Sequence, residues 1–111
     1  MSWLLLGQGR PADTNPLSIL TVVRGYEYRV DLIMVCEQAG GTPTYRIFID
    51  DDGTTYDVTT AIVYDVALSA NQSFRLEGPF YMGTAAGNLA VRSSVLSQIT
   101  FSAFGERRKL A

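Results

Sequence analysis

Apolar and polar residues alternate along much of this chain, the mark of strands with one buried face. The most apolar stretch, Val30 to Asp50 (VDLIMVCEQAGGTPTYRIFID), reads as two strands joined by a turn at Ala39-Gly40-Gly41-Thr42-Pro43. In the first, Val30, Leu32, Met34 and Cys36 form a purely apolar face and are assigned to the core. In the second, Tyr45, Ile47 and Ile49 alternate with Thr44, Arg46 and Phe48. Leu17–Arg24 forms a strand before this pair, with Leu17, Ile19, Thr21 and Val23 on one face and Leu20 and Val22 on the other. After it, Ala61–Leu68 points Ile62, Tyr64, Val66 and Leu68 inward, and Ser73–Glu77 carries Phe74 and Leu76 on its apolar side. Phe80–Met82 reads as a short edge piece, and Leu89–Arg92 and Gln98–Phe104 are the last two strands. No ten-residue helical pattern appears. Thr59–Ala70 comes nearest, and its β-branched residues favour strand. The expected fold is all-β: one antiparallel β-sandwich, jelly-roll or immunoglobulin-like, of about eight strands spaced by turns. It forms a single domain over residues 1–111, with an extended N-terminal arm (1–16) and a short basic C-terminal tail (105–111). The Cys–Trp–Cys spacing of a true immunoglobulin domain is missing.

Composition narrows the functions. Charged residues make up 18% of the 111, against about 25% in an average globular chain, so part of the surface is expected to be covered by a neighbour. A net charge of −2 argues against nucleic acid and anionic membrane as partners. The chain has no histidine and one cysteine, Cys36. That removes Ser-His-Asp and Cys-His catalysis, His-ligated metals, multi-Cys zinc sites and an intrachain disulfide. The apolar run Trp3–Leu6 is too short for a signal peptide or a membrane span, so the chain is expected to be cytosolic when made.

Candidate chemistry is sparse. Asp50-Asp51-Asp52-Gly53, with Asp57 beyond, offers hard oxygen ligands, but EF-hand spacing fails at Thr55 and Ala61. A solvated hairpin turn is the simpler reading. Gly7-Gln8-Gly9-Arg10-Pro11 lacks the Lys-Ser/Thr pair of a phosphate loop. Cys36 reads as an inert buried thiol. Six tyrosines admit carbohydrate stacking, which would require an exposed row of them on one sheet. No catalytic, cofactor or metal residue is assigned, and the chain is not expected to be an enzyme. The assigned residues are interfacial: the apolar arm Trp3, Leu4, Leu5 and Leu6, and the basic tail Arg107, Arg108 and Lys109, which suits an acidic neighbour.

Four segments, LGQGRPADTNP, VDLIMVCEQAGGTPTYRIFIDDDGTTYD, AIVYDVALSANQ and ITFSAFGE, carry a resemblance. From about Leu6 to Glu106 the chain resembles a family of small tailed-phage virion proteins. The family pattern has LxQ-RPAD-T near the start, an apolar strand ending VCN, a TFRIF-type strand and a DDGTTY turn. Glu37 stands here where the family has Asn, and the Arg-Arg-Lys ending is an addition. The resemblance implies a structural role in the virion, with no cofactor. The expectation is a capsid decoration (cement) protein on the major capsid protein, in several copies, with trimers expected. A tail, baseplate or fibre-attachment protein is the alternative, and a carbohydrate-binding host-recognition module the second.

Overall fold

The computed structural model describes residues 4–110. Eight strands follow one another: β1 (Leu4–Gly9), β2 (Leu17–Thr21), β3 (Tyr26–Glu37), β4 (Thr44–Asp50), β5 (Ala61–Ala67), β6 (Ser73–Met82), β7 (Asn88–Ser93) and β8 (Ile99–Lys109). They form two antiparallel four-stranded sheets, ordered β1-β8-β3-β6 and β2-β7-β4-β5. The pairing is nested: β1 with β8, β2 with β7, β3 with β6 and β4 with β5. A long hairpin rolled up on itself gives that order, so the sandwich is a jelly roll and not an immunoglobulin fold.

Strand alternation supplies the core from both sheets. Tyr28, Val30, Ile33, Val35, Ile99, Phe101 and Ala103 come from the first; Leu20, Tyr45, Ile47, Leu89 and Val91 come from the second. At the centre the Tyr45 ring lies 6.1 Å from that of Phe101 and 6.4 Å from that of Phe74. Burying such aromatic and branched side chains contributes roughly 1.5–3 kcal/mol each.

Several faces differ from expectation, for local reasons. Between Val30 and Leu32, β3 has one residue more than β8, a bulge at Asp31, while β6 has one more than β3, with Gly78 and Pro79 opposite Asp31. An extra residue inverts the alternation beyond it. Val30 therefore points inward, but Ile33 and Val35 follow it there, while Met34 and Cys36 lie on the opposite face, half-buried. The bulge crowds both neighbouring strands, and each has glycine at that point. A Cβ on Gly105 of β8 would sit 1.9 Å from the Arg29 carbonyl oxygen, and one on Gly78 of β6 would sit 2.3 Å from that of Val30.

In β5, Ile62, Tyr64 and Val66 are exposed, and only Val63 packs on the core; Leu68, just past the strand, is buried. The strand is the edge of its sheet, its register slips twice against β4, and Asp65 takes φ +53°. Phe80–Met82 is not a separate piece but the end of β6.

The arm and tail are corrected too. Leu4–Leu6 belongs to β1, an integral strand paired to β8, and Arg107–Lys109 completes β8, paired to Tyr28, Glu27 and Tyr26.

Candidate functional site

At one end of the sandwich β2, β4, β6 and β8 finish and β1, β3, β5 and β7 begin. The pairs Leu4–Gly105, Tyr26–Lys109, Tyr28–Met82, Thr21–Asn88 and Asp50–Asn88 place their residues there. Two adjoining hollows open on this end. The larger, about 380 Å³, is lined by Glu27, Tyr28, Arg29, Tyr81, Met82, Gly83, Glu106, Arg107 and Arg108. The smaller, about 160 Å³, is lined by Asp50 and Asp51 together with Thr84, Gly87 and the same Tyr81-Met82-Gly83 segment.

Cross-strand register assembles the first hollow. Arg29 on β3 faces Glu106 on β8 and Tyr81 on β6. Its guanidinium bonds Asp31 at 2.9 Å and Glu106 at 3.0 Å. The hydrogen bond to Asp31 raises the Arg29 pKa further above its ordinary value, so the cation is permanent. Arg108 pairs with Glu27. Arg107 stacks on Tyr26, its guanidinium carbon 4.9 Å from the ring centroid, and forms no ion pair among the described residues. The planar, always-charged guanidinium, fixed by an aromatic face, suits a carboxylate. Tyr81 is 75% exposed at the rim.

The second hollow borders the carboxylate cluster. One oxygen from each of Asp50, Asp51 and Asp52 lies within 4.8 Å of the others. The turn itself takes up much of this chemistry. Buried Asp50 accepts from the Thr54 and Thr55 amides at 2.8 and 2.9 Å, and Asp52 accepts from the Thr54 amide and hydroxyl. Hydrogen bonds to Asp50, first from the Thr55 amide, then with the Asp52 side chain and from the Thr54 amide, pull its pKa from 3.8 to about 2. The β4–β5 loop then folds back over its sheet. Tyr56 lies against Phe48, ring centroids 6.0 Å apart, and Phe48 is buried although it sits on the outer face.

Glu37, the other notable carboxylate, lies at the opposite end of β3 and is 2% exposed. It accepts hydrogen bonds from the amides of Ala39, Gly40, Gly41 and Asn71 at 2.8–3.2 Å. One buried anion thereby ties the β3–β4 turn to the β5–β6 turn. These donors, Asn71 first, lower its pKa.

The expected interface residues divide between two places. Arg107 and Arg108 meet in the larger hollow, and Lys109 follows them, exposed, on the same strand. Leu4 and Leu5 lie on the β1 edge, 52% and 53% exposed, while Leu6 packs on the core. Trp3 lies outside the described residues. The tyrosines form no exposed row: Tyr28 and Tyr45 are buried, and the exposed Tyr64 and Tyr81 belong to different sheets. Cys36 does not face the core; it is half-buried on the outer face. Sequence reasoning missed Arg29, Glu106 and Tyr81, which line the same hollow as Arg107, because only the register brings β3, β6 and β8 together here. No protein-family model matches the chain, and no curated protein is significantly similar to it.

Proposed function

We propose that this chain is a structural protein of a tailed-phage virion, a decoration domain that attaches to the assembled capsid shell and stabilises it. The observation that carries this reading is the β1 edge. Leu4–Gly9 has no charged residue and no proline, and Leu4 and Leu5 stand half-exposed on it. Soluble proteins commonly blunt such an edge with charges, proline or a bulge; β1 has a register break between Leu5 and Gly7 but no charge, and an edge covered in an assembly needs none. The jelly roll supplies a rigid block behind it. The family-like segments quoted above support the same assignment. The mechanism is linkage: a protein that binds only the assembled shell shifts the assembly equilibrium by mass action.

The test uses purified shells lacking the protein. Wild-type protein saturates them and raises their melting temperature, and the Leu4→Asp/Leu5→Asp variant binds with markedly lower occupancy. Full occupancy by that variant would rule out β1 as the contact. No binding to shells, with a few copies per particle found in tails, would move the protein to the tail.

A further inference from the structure

We propose that the sandwich end bearing the two hollows is a self-complementary docking surface. On it, a second copy of this chain seats its Asp51–Asp52 loop against the basic hollow. The proposal concerns contact between copies and goes beyond attachment to a shell.

Three observations converge. The first is unpaired charge: in the larger hollow Glu106 and Glu27 offset Arg29 and Arg108, and Arg107 is left in excess, which makes the hollow basic. Arg24 in the β2–β3 turn, Arg107 and Lys109 are exposed cations at this end, and none forms an ion pair among the described residues. Asp51, Asp52 and Asp57 in the β4–β5 loop are exposed carboxylates, and none has a cationic partner there either. Elsewhere most charges are matched: Arg46 and Arg92 meet Asp65, and Arg75 meets Glu77, while Arg10 and Asp13 are exposed without an ion pair among the described residues.

The second is shape. The basic hollow and the acidic one lie side by side and share Tyr81, Met82 and Gly83 as a common wall. A two-fold axis through that wall would set each acidic half opposite the other copy's basic half, so that every contact is made twice. Such isologous pairing is the commonest closed symmetry.

The third is apolar exposure. Tyr81 is 75%, Val58 69%, Val23 50% and Leu110 41% exposed, all at this end. Tyrosine and arginine with apolar neighbours are what protein interfaces favour. A foreign acidic peptide would neutralise the cations but leave the carboxylates unmatched; a second copy satisfies both.

The experiment is sedimentation velocity of the pure protein over a concentration series, at low and at high salt. Wild type is expected to dimerise, and less so in high salt because exposed ion pairs are screened. Arg107→Glu/Lys109→Glu and, separately, Asp51→Lys should each weaken self-association by about tenfold or more. Mixing the two charge-reversed proteins should restore a mixed dimer. Far-UV circular dichroism checks that each variant is folded. A wild type that stays monomeric to millimolar concentration overturns the proposal. So does a dimer indifferent to charge reversal. A monomer that instead captures polyglutamate in the basic hollow would assign that hollow to a foreign acidic segment and also overturn it. Shell binding by the dimerisation-defective variants would show that the decoration reading stands apart from this one.

Discussion

Replacing Gly105 with alanine probes the device that sets the faces of the first sheet. Gly105 lies in β8 opposite Val30, where β3 bulges at Asp31. An added Cβ would sit 1.9 Å from the Arg29 carbonyl oxygen, and 3.0 Å from both the Arg29 carbonyl carbon and the Asp31 amide nitrogen. All three are backbone atoms, so no rotamer change relieves the clash. β8 must move off β3 by more than 1 Å at this point (roughly the shortfall from ordinary contact). Overpacking of this kind costs about 1–3 kcal/mol. Each ladder hydrogen bond weakened adds about 0.5–1.5 kcal/mol. Two such bonds bring the expected loss to about 2–6 kcal/mol, a large share of the 5–15 kcal/mol typical of a domain. At about 4 °C per kcal/mol for a domain of this size, the melting temperature falls by about 8–24 °C. The internal control is Gly83→Ala, whose Cβ would meet nothing nearer than the Glu27 Cβ at 3.8 Å. Urea unfolding followed by circular dichroism measures both variants. If Gly105→Ala lies within about 0.5 kcal/mol of wild type, the range of an ordinary surface substitution, then the bulge does not press on β8 and the account of the inverted faces is wrong.

Glu37→Gln replaces an anion that accepts four amides with a side chain that has one acceptor oxygen and an unwanted donor. It should speed hydrogen exchange at Ala39, Gly40, Gly41 and Asn71 more than in the core strands; uniform protection would contradict the tie. Acid should destabilise the fold. Asp50 titrates at about 2 when folded and near 3.8 otherwise, so its contribution is complete above pH 4 and disappears as pH falls toward 2. Glu37, Asp57 and Asp65 are shifted downward as well, so each adds stability at neutral pH that is lost in acid. Asp50→Asn should flatten that loss; an unchanged pH profile would show that Asp50 contributes nothing to it. Tyr56→Ala uncovers Phe48 and should cost about 2–4 kcal/mol, read from urea midpoints, with a loss under about 0.5 kcal/mol showing that Tyr56 does not cover Phe48.

The strands from β2 to β8 were legible, β6 in two pieces, because alternation and turn residues mark them without knowledge of their partners. Which face each strand buries was not. In β3 the extra residue at Asp31 reverses the alternation, and nothing in VDLIMVCE announces it. The signs are Gly105 and Gly78, and they acquire meaning only once β8 and β6 are known to flank β3. In β5, an apolar sequence at a sheet edge looks like core, since apolar side chains also make up much of an exposed surface. The arm and tail were misread for a related reason. A strand apolar on both faces and a basic terminus both look unpaired until their cross-strand partners are in place. The candidate site was half visible: Arg107 and Arg108 stood out as charges, whereas Arg29, Glu106 and Tyr81 joined them through register alone.

Quantitative mass spectrometry of purified tailed-phage particles, with this chain measured against the major capsid protein, tests the virion reading most directly. A shell decoration domain should be present in hundreds of copies, in a fixed ratio to the capsid subunit. Its absence from particles purified to constant composition would contradict the proposed role.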